Sequence, residues 1–95
     1  MSDLLPIIEE LANARTDAER AQWLLRCPPG YLGKYEMTIR NRLQVAGFLA
    51  GVAYLEVERL VIWMPRDDDG GPSAKAQELL VGARMRIRAI AAGVA

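Results

Sequence analysis

Between Lys34 and Met64 the chain places Ile39, Leu43, Ala46, Ala50, Ala53, Val57, Leu60 and Met64 in alternating steps of four and three residues. That period belongs to an α-helix with one face laid against a neighbour, as in a coiled-coil seam, and not to a strand. Taken as unbroken, it predicts one helix over about 34–64, roughly 45 Å long at 1.5 Å per residue. Pro65 ends it. Val45, Phe48, Leu49, Val52 and Leu55 lie beside the seam, and Gly47, Gly51 and Tyr54 lie on the other flank. Positions 43–55 are thus apolar or small nearly all the way round, the pattern of a helix enclosed by neighbours.

The rest of the chain reads as shorter helices. Ser2 or Asp3 can cap a first helix over about 4–14, which turns Leu4, Ile7, Ile8 and Leu11 to one side. Thr16-Asp17-Ala18-Glu19 is a capping box, with Thr16 as N-cap and Glu19 reaching back. It opens a second helix over about 17–26, which Pro28-Pro29-Gly30 stops ahead of a short link through Tyr31-Leu32-Gly33. After the polar turn at 67–72, Ser73 caps a last helix over about 74–92. Ala76, Leu80, Ala83, Ile87, Ile90 and Val94 repeat the same spacing along it. The expectation is a single all-α domain over 1–95. It is a bundle of three to four helices, with two short N-terminal helices and an antiparallel hairpin of one long and one shorter helix.

Composition narrows function mainly by exclusion. Ninety-five residues support one modest core. Twelve basic residues balance twelve acidic ones, which gives no overall pull toward nucleic acid or membrane. The balance is blocked along the chain: residues 1–25 and 43–73 are net acidic, 26–42 and 74–95 net basic. Such blocks suit antiparallel neighbours or complementary subunits, and equally suit solvated helix faces. There is no histidine and a single cysteine, which excludes disulfide scaffolds, zinc fingers and histidine-dependent catalytic triads. The longest uncharged run, Leu43–Leu55, has 13 residues against the roughly 18–20 a bilayer requires. Met1-Ser2-Asp3 lacks the basic start of a signal peptide, so a cytoplasmic protein is expected.

Few groupings suggest chemistry. Asp67-Asp68-Asp69-Gly70 has the wrong acid spacing for a calcium loop and reads as a solvated turn. Glu56 and Glu58, like Glu9 and Glu10, fall on different helix faces and cannot act as a carboxylate pair. Cys27 has no histidine to activate it and reads as structural. Trp23, Trp63, Met37, Met64 and Met85 read as core residues. Arg26, Tyr31, Lys34, Tyr35, Arg40 and Arg42 mix bases with aromatics, and Arg84 and Arg88 pair at i,i+4 on the last helix. Either group suits an anion or a partner. Ala46, Gly47, Ala50, Gly51 and Tyr54 form a smooth strip that, by analogy with close-packed membrane helices, suits self-association.

Residues 16–55, through Thr16–Leu25, Ile39–Leu43 and Ala46–Leu55, resemble small accessory proteins carried by phages and prophages of high-GC bacteria. The resemblance implies a protein that acts by binding, for instance an inhibitor of a host defence system. It transfers no catalytic or binding residue. Together these readings lead us to expect a non-enzymatic helical regulator without cofactor or metal. It would be a homo-oligomer built across the long helix and would bind a protein partner. The alternatives are a nucleic-acid-binding regulator through the basic segments, or an oligomer that sequesters a nucleotide.

Overall fold

A computed structural model describes residues 6–93 and is all-helical. Its order is α1 (Pro6–Asn13), α2 (Asp17–Arg26), α3 (Pro29–Lys34), α4 (Glu36–Val45), α5 (Leu49–Ile62) and α6 (Ala74–Ala91). The expected Ser2 or Asp3 cap, Leu4 and Val94 lie outside the described residues. Two N-caps fall where the sequence puts them. Thr16 Oγ1 accepts from the Glu19 N–H at 3.1 Å, and Ser73 Oγ accepts from the Ala76 N–H at 3.1 Å. Glu19 reaches back one residue further than a capping box, taking the Arg15 N–H at 3.3 Å.

The expected single helix over 34–64 is instead two, α4 and α5, and the expected link through Tyr31-Leu32-Gly33 is itself a short helix, α3. Pro28 does end α2, but Pro29 then serves as the first residue of α3, where its fixed φ and missing N–H cost nothing. The larger departure is at Gly47. Its φ of +74° is left-handed, its N–H donates to the Gln44 carbonyl at 3.0 Å, and the Phe48 N–H donates to the Leu43 carbonyl at 2.9 Å. This is a Schellman termination. The apolar residue after the glycine, Phe48, packs into the core that also holds Leu43. Burying Phe48 outweighs continuing the helix, so the chain reverses, and α4 and α5 run antiparallel with Arg40 bonded to Glu56.

α6 returns antiparallel to α5, as the sequence predicts, and packs most extensively on α2, where Gln22 Nε2 donates to the Ala91 carbonyl at 3.0 Å. Ala76, Ala83 and Ile87 of its seam are buried. The core gathers Ile8, Trp23, Leu24, Ile39, Leu43 and Leu55 among its fully enclosed large side chains. Trp23 anchors α1 by donating its indole N–H to the Ile7 carbonyl at 2.6 Å. The molecule measures 45 × 34 × 18 Å. An 18 Å thickness is about two helix diameters, so most helices keep one face on solvent.

Candidate functional site

α5 has two opposed apolar faces. Gly51, Tyr54, Leu55 and Glu58 form the buried one. On the opposite side, at 3.6 residues per turn, Leu49, Ala53, Glu56, Leu60 and Trp63 share a stripe. Leu49 is 71% exposed, Leu60 54% and Trp63 81%. Trp63 is therefore not a core residue as its type suggests, and Met37 and Met85 are likewise exposed. The cause is the break at Gly47. Once α4 and α5 are separate rods, α5 needs one buried face only, and the thin slab supplies no cover for the other.

The stripe is a ridge between two grooves. On one side α4 contributes Glu36, Met37, Arg40 and Gln44, facing Glu56 and Arg59 of α5. Arg40 bonds both Glu36 and Glu56, and these bonds hold its guanidinium above its ordinary pKa and the Glu56 carboxyl below its own. Arg59 is loosely held, 4.0 Å from Glu36 with more than half its side chain exposed. On the other side Ala50 and Ala53 of α5 meet Ala83 and Arg86 of α6 over a small crevice of about 190 Å³.

The strip expected to mediate self-association does not lie on one helix face. Ala46, Gly47 and Ala50 are exposed, but Gly51 and Tyr54 are buried within the chain. Gly51 sits beneath the Phe48 ring and against Leu24, and Tyr54 faces α6. Gly47 serves the helix end rather than close backbone approach. The seam is also displaced from the core: its Ala50, Ala53 and Leu60 are exposed, while Ile39 and Leu43 alone among its members are buried.

No family, curated protein or solved structure matches this chain.

The basic residues singled out in the sequence are dispersed and mostly paired. Arg26 bonds Glu10 at 2.7 Å, tying α2 to α1. Arg40 is held as above, and Arg42 donates to Asn41 at 3.1 Å. Lys34 lies 5.5 Å over the Tyr35 ring, which stacks on Tyr31 at 5.9 Å, so only these three gather as the sequence suggests. Arg88 is exposed at the far end of α6. Arg84 instead joins a buried cluster: the Tyr54 hydroxyl donates to Glu58 Oε1 at 2.7 Å, and Arg84 Nη2 reaches the same oxygen at 3.4 Å. Burial first, then the bond to Glu58, pushes the Tyr54 hydroxyl up to about 12. Burial likewise pushes the Cys27 thiol up to about 11, with Arg26 pulling down and Glu58 adding to the rise. The cluster thus fastens α5 to α6, and the thiol stays protonated at neutral pH.

The acidic turn is structural. Gly70 N–H donates to the Asp67 carbonyl at 2.8 Å, and Asp69 Oδ1 accepts from the Gly71 N–H at 2.9 Å. Among the described residues no group of three or more carboxylates or thiols is placed to hold a metal ion, and no helix is long and apolar enough to cross a membrane. Sequence reasoning missed the outer stripe itself. Its signal was present as a second set of apolar residues, Leu49, Leu60 and Trp63, on a helix whose other side already supplies a core face.

Proposed function

We propose that this chain is a non-enzymatic interaction protein whose contact face is the outer ridge of α5, and that it self-associates and regulates a protein partner. The observation that carries this reading is the exposure of Leu49, Leu60 and Trp63 together on one helix face. Exposed apolar patches of this kind mark interaction sites, and tryptophan is enriched among the residues that dominate binding energy. Engagement of Arg26, Arg40 and Arg84 by carboxylates of the same chain favours this reading over a nucleic-acid surface. The resemblance of residues 16–55 to phage accessory proteins would make the regulated partner a host protein, for instance part of a defence system.

Trp63 supplies its own probe. Trp23 is 1% exposed, so collisional quenching by acrylamide reports Trp63 alone. Association across the ridge predicts that quenching falls as protein concentration rises, or on addition of a binding partner. Unchanged quenching at every concentration, with a partner demonstrably bound, would remove the ridge from the account.

A further inference from the structure

The crevice between α5 and α6 is walled by Ala50, Ala53 and Tyr54 on one helix and by Ala83, Arg86 and Ile87 on the other. Side chains at a helix contact ordinarily interdigitate to native density. Here half of the lining is alanine, whose methyl groups are too short to meet, and a volume of about 190 Å³ stays open. A cavity of about 150 Å³ is enough to hold one benzene ring. Water gains little in such a place, because an ordered water needs roughly two to four polar partners. The Tyr54 hydroxyl is taken up by Glu58, so Arg86 is the only lining side chain with a polar group to offer.

Arg86 is exposed, and among the described residues no carboxylate pairs with it. Arg84, two residues earlier, differs in reaching Glu58 at 3.4 Å. From Leu79 to Ala95 the sequence has no acidic side chain, so the mouth of the crevice lies in a locally positive stretch of α6. A matching ligand therefore has one ring-sized apolar part and one negative charge. An amine finds no acid in the lining. A guanidinium forks onto a carboxylate and balances its charge, whereas a phosphate dianion would keep about half of its charge unmatched. An extended peptide would need polar partners for its backbone, which the alanine and isoleucine walls do not supply.

We infer that this crevice is a binding site for a small aromatic carboxylic acid, with its ring against the alanine methyls, Ile87 and Tyr54 and its carboxylate on Arg86. Occupancy by such an acid does not depend on a protein partner at the ridge. A ligand of about ten heavy atoms in so open a site binds with a Kd on the order of 1 mM.

Phenylacetate is the probe, titrated into the full chain with its alanine and isoleucine methyl groups labelled for NMR. Saturable shifts centred on Ala50, Ala53, Ala83 and Ile87 are expected, and their absence up to about twenty times the expected Kd would overturn the site. Phenylacetamide, which keeps the shape and loses the charge, binds about fivefold more weakly, and benzylamine more weakly still. In Arg86→Gln, phenylacetate falls to the level of phenylacetamide while phenylacetamide itself is unchanged. Equal binding of acid and amine, or an acid unaffected by Arg86→Gln, would overturn the role of Arg86. Ala53→Leu changes an exposed position and fills the crevice, so it abolishes the shifts at the other three residues while the helical circular dichroism is kept. Persistence of those shifts would place the ligand elsewhere. A short peptide ending in a free C-terminal phenylalanine that binds at least about tenfold tighter than phenylacetate would make the occupant a chain terminus and overturn the free acid.

Discussion

Phe48 lies over Gly51 so closely that a Cβ built at position 51 falls 2.6 Å from Phe48 Cδ2. The ring that ends α4 by dropping into the core therefore requires a glycine one turn later in α5. This pair converts what reads as a small-residue association strip into an internal packing device.

Three glycines accordingly respond to alanine in different directions. Gly51→Ala lowers unfolding free energy by about 1–3 kcal/mol through overpacking, although alanine is intrinsically the better helix former. Gly47→Ala costs about 1–2 kcal/mol for a different reason: its Cβ meets nothing within 4 Å, but φ is +74°. Gly82→Ala, in ordinary helical conformation with open space around its Cβ, stabilises by about 0.4–1 kcal/mol. Urea titrations of the three variants check the ordering. Gly51→Ala at or above wild-type stability would contradict the packing described.

The buried Tyr54–Glu58 bond predicts an inverted mutational order. Tyr54→Phe leaves Glu58, itself 5% exposed, with only the longer Arg84 contact, and costs about 1.5–3 kcal/mol. Adding Glu58→Met to Tyr54→Phe removes the stranded carboxylate and recovers part of that loss, because Arg84 is exposed enough to remain hydrated. Chemical denaturation of the single and double variants measures it. A double variant weaker than the single would count against the cluster's geometry.

Alkaline pH acts through the same region. The Tyr54 hydroxyl moves from 10.0 unfolded to about 12 folded, and the Cys27 thiol from 9.0 to about 11. Both pKa values are raised by folding, so their contribution is complete below pH 9 and is lost in turn as pH rises through 9–11 for Cys27 and 10–12 for Tyr54. The Tyr54 part alone is about 2–3 kcal/mol. Melting temperature should fall steeply above pH 9, and less steeply in Cys27→Ala/Tyr54→Phe. A flat profile from pH 8 to 11 would show that neither group is buried as described.

Helices α2 and α6, both N-caps and the all-α class are legible in the sequence because each rests on local chemistry: a capping hydroxyl, an acidic first turn, a proline or a small turn. The break at Gly47 is less legible because two rules compete there. A period that runs through Ala46 argues for continuation, while a glycine followed by an aromatic argues for termination, and only the depth of Phe48 burial decides between them. The exposure of Trp63 is hidden for a related reason. Residue type assigns tryptophan to a core, but the number of layers that can cover a helix is a property of the whole chain, here 18 Å thick. The basic segment 26–42 looks like one patch in sequence and is divided in space, because Arg26 turns to Glu10 and Arg40 to Glu36 and Glu56.

The central claim is that the outer face of α5 joins two copies of this chain. Mass in solution by multi-angle light scattering tests it most directly, with wild type compared against Leu60→Glu/Trp63→Glu at matched concentrations. Both substitutions lie on exposed positions, so the variant keeps its helical circular dichroism. The account predicts twice the 10.5 kDa chain mass for wild type and a single chain mass for the variant. Equal masses for the two folded proteins would contradict it.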